Sequence, residues 1–204
     1  MWNRRHGIAV SPAMKRARVH TCLAGSAAIA AACAAHGETF GLAPPSERTE
    51  SGWLGYLNAR FGLRIDLPAS GFRQQLSPDG SGITLTSLDR AVIIAVHANW
   101  LQSILPGATD RAGRSIASLH GQAIAETEQK GGDVTYSVQR DDFYVISGTI
   151  GSSVYYERVA ISPACPDVFD AVRLTYPQAL ERALDPLVTR VSLSLRAVCP
   201  SRVE

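Results

Sequence analysis

Histidine and cysteine side chains supply much of the chemistry of enzymes and metal sites, and this sequence of 204 residues has only five histidines and four cysteines. The histidines beyond residue 35 are His36, His97 and His120. None has another histidine or a cysteine at the short spacing that metal ligands adopt on one element. The sequence also lacks a Gly-x-Ser-x-Gly nucleophile turn. It therefore predicts no metal site, no cofactor and no catalytic residue.

The stretch Tyr155-Tyr156-Glu157-Arg158 combines aromatic and charged side chains, a mixture found at protein interfaces. On a strand, Tyr155 and Glu157 share one face, whereas Tyr156 and Arg158 share the other. One aromatic–charged pair could therefore face solvent, although such pairs also occur on ordinary sheet surfaces. We take these four residues as the candidate binding residues.

Residues 1–35 have the composition of a secretory signal peptide, with a basic start followed by an apolar core and small residues. The uncharged run 21–35 is rich in alanine and shorter than the roughly 20 apolar residues of a membrane-spanning helix. Cleavage fits after Ala34 or after Ala35. Met14 precedes an ordinary short basic region, so it is an alternative start of the chain.

The arginine and alanine bias is typical of a GC-rich bacterial gene. Export from a bacterium would place the mature chain in the periplasm or in the medium. A lipoprotein anchored through Cys33 is an alternative. The residues before Cys33 lack the leucine that lipoprotein signals usually carry three positions earlier. We therefore expect a membrane contact only if Cys33 is lipidated.

Removal of the predicted signal peptide changes the charge of the protein. The chain has 20 basic and 18 acidic residues, and five basic residues leave with residues 1–35, so the mature charge is 15 − 18 = −3. Nucleic-acid binding depends on clustered lysine and arginine, which the remaining sequence lacks. The sequence thus excludes nucleic acid as a partner.

Two cysteines, Cys165 and Cys199, remain after the predicted signal peptide is removed. An even pair in an oxidising compartment favours a disulfide bond. The alternative of a reactive thiol has little support, because the sequence has no Cys-x-x-Cys motif. We predict a structural bond that closes a loop of about 35 residues.

Residues 36–51 are polar and contain two adjacent prolines, which predicts a flexible leader. Residues 52–200 suit a single domain. Alternating apolar residues and short turns predict a hairpin that turns at Gly62 and strands at 82–88, 91–99, 133–140, 143–151, 153–162 and 168–177. The strand at 91–99 is apolar on both faces over Val92–Val96, which predicts a central position in the sheet.

Two helices are also predicted. The first runs from Thr109 to Lys130, with Ile116 and Leu119 in its buried stripe. The second starts with Asp185 as its cap and Pro186 at its first position, and it ends near Ala197. Its buried stripe contains Leu187, Val188, Val191 and Leu195. The order of elements indicates an α+β protein in which helices flank an antiparallel sheet of about six to seven strands.

Three segments carry a resemblance to a known family: YLNARFGLRIDLP at 56–68, YVISG at 144–148 and LTYPQALERALDPLVTRVSLSLR at 174–196. Together they resemble the exported bacterial branch of the PsbP/Mog-like superfamily, over most of residues 53–197. The resemblance implies an α-β-α sandwich and a non-catalytic role in binding or assembly. Its motifs are packing and turn signatures, so they specify a fold and no reaction.

Two hypotheses about function follow. The first is an exported interaction or assembly module whose partner is another exported or envelope protein. The alternative is an exported hydrolase whose site is assembled from residues distant in sequence. The first is favoured because His97 and His120 are the only histidines of the predicted domain that could act as a base.

Overall fold

Seven antiparallel strands form the larger of two sheets in the structure, a computed structural model that describes residues 51–104 and 112–199, with side chains from residue 115 in the second range. In spatial order the strands are β3 (Phe72–Leu76), β4 (Gly82–Ser87), β5 (Ile93–Trp100), β9 (Val168–Pro177), β8 (Ser153–Ala160), β7 (Phe143–Ile150) and β6 (Gly132–Gln139). A smaller sheet consists of β1 (Trp53–Asn58), β2 (Leu63–Pro68) and β10 (Arg196–Ala197). The fold is α+β, as predicted.

Three helices accompany the sheets: α1 (Leu101–Ile104), α2 (Ala112–Gln129) and α3 (Glu181–Ser194). None of the helices within the described ranges is long and apolar enough to cross a membrane. All described residues belong to one compact unit. The predicted signal peptide at 1–35, with Met14 and Cys33, lies outside the described residues, as does nearly all of the predicted leader at 36–51.

Short turns determine which strands are neighbours. The β1–β2 hairpin turns at Gly62, whose φ of 75° is a left-handed conformation that glycine adopts without strain. The strands β6, β7 and β8 form the predicted antiparallel meander. The pairing of β8 with β9 and of β9 with β5 then joins this meander to the strand pair β4–β5. The predicted central position of β5 is confirmed.

The large sheet has a different layer on each face. On one face α2 packs against β6 and β7, and its Ile116 and Leu119 join the buried side chains of Tyr144, Ile146, Tyr155, Val159, Phe169 and Ala171. On the other face, α3 and β2 cover Ile94, Val96, Val172 and Leu174. We call these the α2 face and the α3 face. The predicted stripe of α3 is confirmed for Val188, Val191 and Leu195.

The predicted start of the last helix is wrong. The helix begins at Glu181 after a 3₁₀ turn at Gln178–Leu180, so Asp185 and Pro186 lie inside α3. The additional turn persists because Leu180 and Leu184 pack against the core, which offsets the hydrogen bond that proline removes. The helix also ends at Ser194 and not near Ala197, because the chain leaves it to form β10.

Two short strands were not predicted. The strand β3 has one half-buried and four exposed residues, so no apolar alternation distinguishes it from a loop. The strand β10 has only two residues and pairs with β2 through contacts distant in sequence. Both strands depend on a neighbour that supplies the hydrogen bonds.

The disulfide bond between Cys165 and Cys199 is present, with the two Cα atoms 5.6 Å apart. This distance lies within the normal range for a disulfide bond. Cys165 is buried in the connection between β8 and β9, whereas Cys199 follows β10. The bond therefore ties the segment after β10 to the connection between β8 and β9, and the predicted pairing of the two cysteines is confirmed.

Candidate functional site

In the described part of the chain, one half of the α2 face is open. A helix is about 10 Å wide and strands lie about 4.8 Å apart, so one helix covers only two or three strands of a seven-stranded sheet. The helix α2 lies on β6 and β7, whereas Arg73, Gln75, Ile93 and His97 at the other end of the same face are exposed. We define the open face as these four residues with the half-buried Thr84, Thr86 and Ala95 between them.

The register of the strands brings these residues together. Thr86 pairs with Arg73 on one side and with Ile93 on the other, and paired residues on neighbouring strands point to the same face. The next row contains Gln75, Thr84 and Ala95. The open face thus has one exposed apolar side chain, Ile93, which is 40% exposed and lies in the end row with Thr86 and Arg73 and beside Ala95.

His97 lies at one end of the open face, with its ring edge-on to Phe169 at 5.6 Å between centroids. Although part of its surface is exposed, the surrounding protein removes enough water to lower the pKa of His97, and the Glu157 carboxylate opposes this effect only in part. The ring is therefore uncharged at neutral pH. An uncharged imidazole can donate one hydrogen bond and accept another.

A hydrogen-bonded cluster of charged and aromatic residues on β7, β8 and β9 borders the open face. Tyr144 donates its hydroxyl hydrogen to Glu157 Oε1 at 2.7 Å, and Arg173 Nη1 donates to Glu157 Oε2 at 3.3 Å. The guanidinium of Arg173 also lies 5.0 Å from the centre of the Tyr155 ring. Burial, followed by the Glu157 charge, raises the pKa of Tyr144.

This cluster fixes Glu157 as a charged, oriented group. The two carboxylate oxygens of Glu157 each accept one hydrogen bond, and the side chain is only 14% exposed. Arg173 is 27% exposed and lies in the same row as Ala95, so its guanidinium adjoins the open face. Because both carboxylate oxygens of Glu157 are already engaged, Glu157 is poorly placed for proton transfer.

The four predicted binding residues lie in different environments. Tyr155 is 1% exposed and belongs to the core beneath α2, so the expectation of a solvent-facing pair is wrong for Tyr155 and Glu157. Its register partner on β7 is Gly148. Tyr156 shares a hydrogen bond with Ser192 on α3, at 2.6 Å between their hydroxyl oxygens. Whether any of the four contacts a partner stays a prediction.

Arg158, the last of the four, is half-buried and lies over the ring of Phe143, with 4.6 Å between the guanidinium carbon and the ring centre. Its Nε is buried and has no hydrogen-bond partner among the residues that the structure describes. The position on the α3 face follows from its pairing with Val172. Arg158 therefore belongs to the packing between layers and does not extend the open face.

The two histidines that the hydrolase hypothesis required do not share a site. His120 lies on α2 and bonds through both ring nitrogens, to Gln139 Oε1 at 2.9 Å and to Ser137 Oγ at 2.7 Å. These partners belong to β6, four strand positions from the β5 strand of His97, which corresponds to roughly 19 Å. Within the described residues, no three His, Cys, Asp or Glu side chains are grouped to hold a metal ion.

Sequence reasoning missed a buried carboxyl group on β9. Asp170 is 1% exposed and its Oδ1 has no hydrogen-bond partner among the described residues. Burial raises the pKa of Asp170 to about 7. A single acidic residue within the otherwise apolar run VFDAV was the signal that could have identified it. Asp170 lies on the α3 face, between Ala98 and Ala160, and so is separate from the open face.

Comparison with known proteins identifies the fold. No protein-family model and no curated protein matches the sequence. Among solved structures, the chain is similar to cyanobacterial PsbP (CyanoP) from Synechocystis sp. PCC 6803, with 12% identity, coverage of 73% of this chain and 94% of that chain, and a TM-score of 0.52. The Ran-binding protein Mog1p of Saccharomyces cerevisiae is matched at 12% identity over 68% of this chain and 91% of that chain, with a TM-score of 0.45. The chain therefore has a PsbP-like α+β fold.

Proposed function

We propose that this protein is an exported, non-catalytic interaction module that binds another exported or envelope protein through the open face. The observation that carries the proposal is the uncovered half of the α2 face, on which the exposed Ile93 lies in one row with Thr86 and Arg73 and beside Ala95. Exposed apolar side chains beside polar and arginine side chains are typical of protein–protein interfaces. Arg73 gives this surface a positive charge that suits an acidic segment of the partner, whereas the charge of the adjoining Arg173 is offset by Glu157.

Two further observations support export. The first is the sequence of residues 1–35, with its basic start and alanine-rich apolar core. The second is the disulfide bond between Cys165 and Cys199, since stable disulfide bonds are typical of oxidising compartments. The PsbP-like fold is compatible with a binding role, but folds host many functions, so the surface carries the argument.

Site-specific photocrosslinking in the native host tests the binding surface. A photoreactive residue at Thr86, in the open face, should yield one discrete crosslinked protein that mass spectrometry identifies. Ile93→Asp should abolish that product while leaving the far-ultraviolet spectrum unchanged, because it replaces an exposed apolar side chain of the open face with a charged one. The matched control is a photoreactive residue at Glu128, which is exposed on α2. Equal crosslinking at Glu128, or a product that survives Ile93→Asp, would contradict the proposal.

Export has its own test. The intact mass of the protein isolated from its host should correspond to a chain that begins at Ala35 or His36, which are the outcomes of cleavage after Ala34 or Ala35. A mass that retains residues 14–34 would show that these residues are not a cleaved signal. A diacylglycerol adduct on Cys33 would establish the lipoprotein alternative.

A further inference from the structure

The outer edge of β3 has unused backbone hydrogen-bonding groups. Ser77 N donates to Gly82 O at 3.0 Å and Leu88 N donates to Gly71 O at 3.1 Å. In an antiparallel pair the residues that bond to one neighbour alternate with those that point away. The N–H and C=O groups of residues 73 and 75 therefore face β4, whereas those of residues 72, 74 and 76 face outwards.

Natural proteins usually protect such an edge by shortness of the strand, a charged side chain, a proline, a bulge or a covering element. The strand β3, FRQQL, has five residues and no proline, its one charged side chain is Arg73, and its register with β4 is continuous. In the described part of the chain β3 is the end strand of its sheet. Leu76, one of its apolar residues, is 37% exposed. This edge can therefore accept another strand.

The sequence of β3 is complementary to itself. When two copies run antiparallel with a twofold axis at Gln74, Phe72 of one copy lies opposite Leu76 of the other on the α3 face. Arg73 lies opposite Gln75 on the α2 face, and the two Gln74 side chains meet at the axis. All three pairings are favourable or neutral for side chains on neighbouring strands.

Other antiparallel registers are less suitable. A shift that places the axis at Arg73 sets the two guanidinium groups directly opposite one another, which is destabilising. A shift that places the axis at Gln75 leaves Phe72 without an opposing strand residue, because β3 ends at Leu76. Only the register centred on Gln74 uses the whole strand, and it pairs all the outward groups of residues 72, 74 and 76.

We propose that β3 pairs with β3 of a second copy of this chain in the register centred on Gln74, which forms a symmetric dimer with one continuous sheet. The twofold axis is perpendicular to the sheet, so the two open faces lie on the same side and adjoin each other. An α2 helix then bounds the combined surface at each end. The pairing does not depend on the partner proposed for the open face, since it uses only backbone groups and side chains of β3.

Such a dimer should be weak. A pair of five-residue strands buries much less than the roughly 1,000 Å² that stable interfaces exceed. The pairing should therefore form at high concentration and dissociate on dilution. A surface that adds strands reversibly is consistent with a module that works within an assembly.

Sedimentation velocity of the protein purified as it accumulates in its host, without any partner, tests the dimer. The sedimentation coefficient should rise from that of a monomer towards that of a dimer between micromolar and millimolar concentrations. Gln75→Glu creates two new ion pairs with Arg73 and should lower the dissociation constant about two- to thirtyfold. Gln75→Arg, the matched variant at the same exposed position, should raise the dissociation constant by a similar factor.

A third variant tests the backbone contacts. Gln74→Pro removes an outward N–H that β4 does not use, and proline is tolerated on edge strands for this reason. It should abolish the dimer. A monomeric protein at every concentration would overturn the proposal. A dimer that responds to neither substitution at Gln75 and persists in Gln74→Pro would overturn it equally, because another surface would then hold the two copies together.

Discussion

Replacement of the buried Asp170 by asparagine should make the protein more stable at alkaline pH. Asp170 is 1% exposed between Ala98 and Ala160, and burial raises its pKa to about 7. In the unfolded chain the carboxyl group regains a pKa of about 3.9. Between these two values the folded protein holds a proton that the unfolded chain releases. The free energy of unfolding therefore falls as the pH rises from about 4 to about 7, and this contribution is constant above about 8.

The size of the effect follows from the two pKa values. A difference of one pKa unit corresponds to about 1.4 kcal/mol, so holding the Asp170 charge in the fold costs roughly 4 kcal/mol at pH 8 and much less at pH 5. Asparagine never carries that charge. The free energy of unfolding of Asp170→Asn minus that of the wild type should increase by roughly 2 to 3 kcal/mol between pH 5 and pH 8.

Urea unfolding at pH 5, 6, 7 and 8, followed by circular dichroism, measures this difference. The matched control is Asp167→Asn, which changes an exposed carboxylate three residues earlier and should leave the difference nearly independent of pH. If Asp170→Asn instead destabilises the protein at pH 8, the reasoning is refuted. That result would indicate that the carboxylate is charged in the fold and is neutralised by Arg158, whose Nε is buried on the same face of the sheet and has no hydrogen-bond partner among the described residues.

Two further predictions concern packing and covalent structure. Gly148→Val should destabilise the fold by at least about 1 to 3 kcal/mol, despite valine's preference for strands. The reason is that a Cβ at this position would lie 1.8 Å from the backbone oxygen of Asp133. An unchanged melting temperature would contradict this close approach. Reduction of the bond between Cys165 and Cys199 should lower the free energy of unfolding by roughly 3 to 4 kcal/mol, and with it the unfolding midpoint. The far-ultraviolet spectrum at room temperature should stay largely native. Two free thiols in the unreduced, unfolded protein would show that the bond does not form.

Elements defined by local patterns could be predicted from the sequence. The hairpin at Gly62 and the meander β6–β7–β8 follow from apolar alternation and turns of a few residues, which allow only antiparallel neighbours. The close approach at Gly148 could also be predicted, because a glycine inside a strand marks such a contact. The disulfide bond could be predicted because two cysteines, Cys165 and Cys199, lie beyond the predicted signal peptide.

Features that depend on distant contacts could not be predicted in this way. The start of α3 was misplaced because Asp185 and Pro186 form a good local start signal, whereas the packing of Leu180 and Leu184 against the core extends the helix by a turn. The burial of Tyr155 was missed for the same reason. Alternation along β8 separates its two faces, but it does not say that a helix from another part of the chain covers one of them.

The open face is also a product of the tertiary structure. The strand β5 is bound to β9, about 75 residues later in the chain, and this pairing joins the covered meander to the exposed strands β3 and β4. Sequence alone predicted most of the strands, though not β3 or β10, and one long helix between β5 and β6. Tertiary structure decided where that helix sits. A single helix about 10 Å wide must leave part of a seven-stranded face exposed, and the β5–β9 pairing determines that the exposed part carries Arg73, Ile93 and His97.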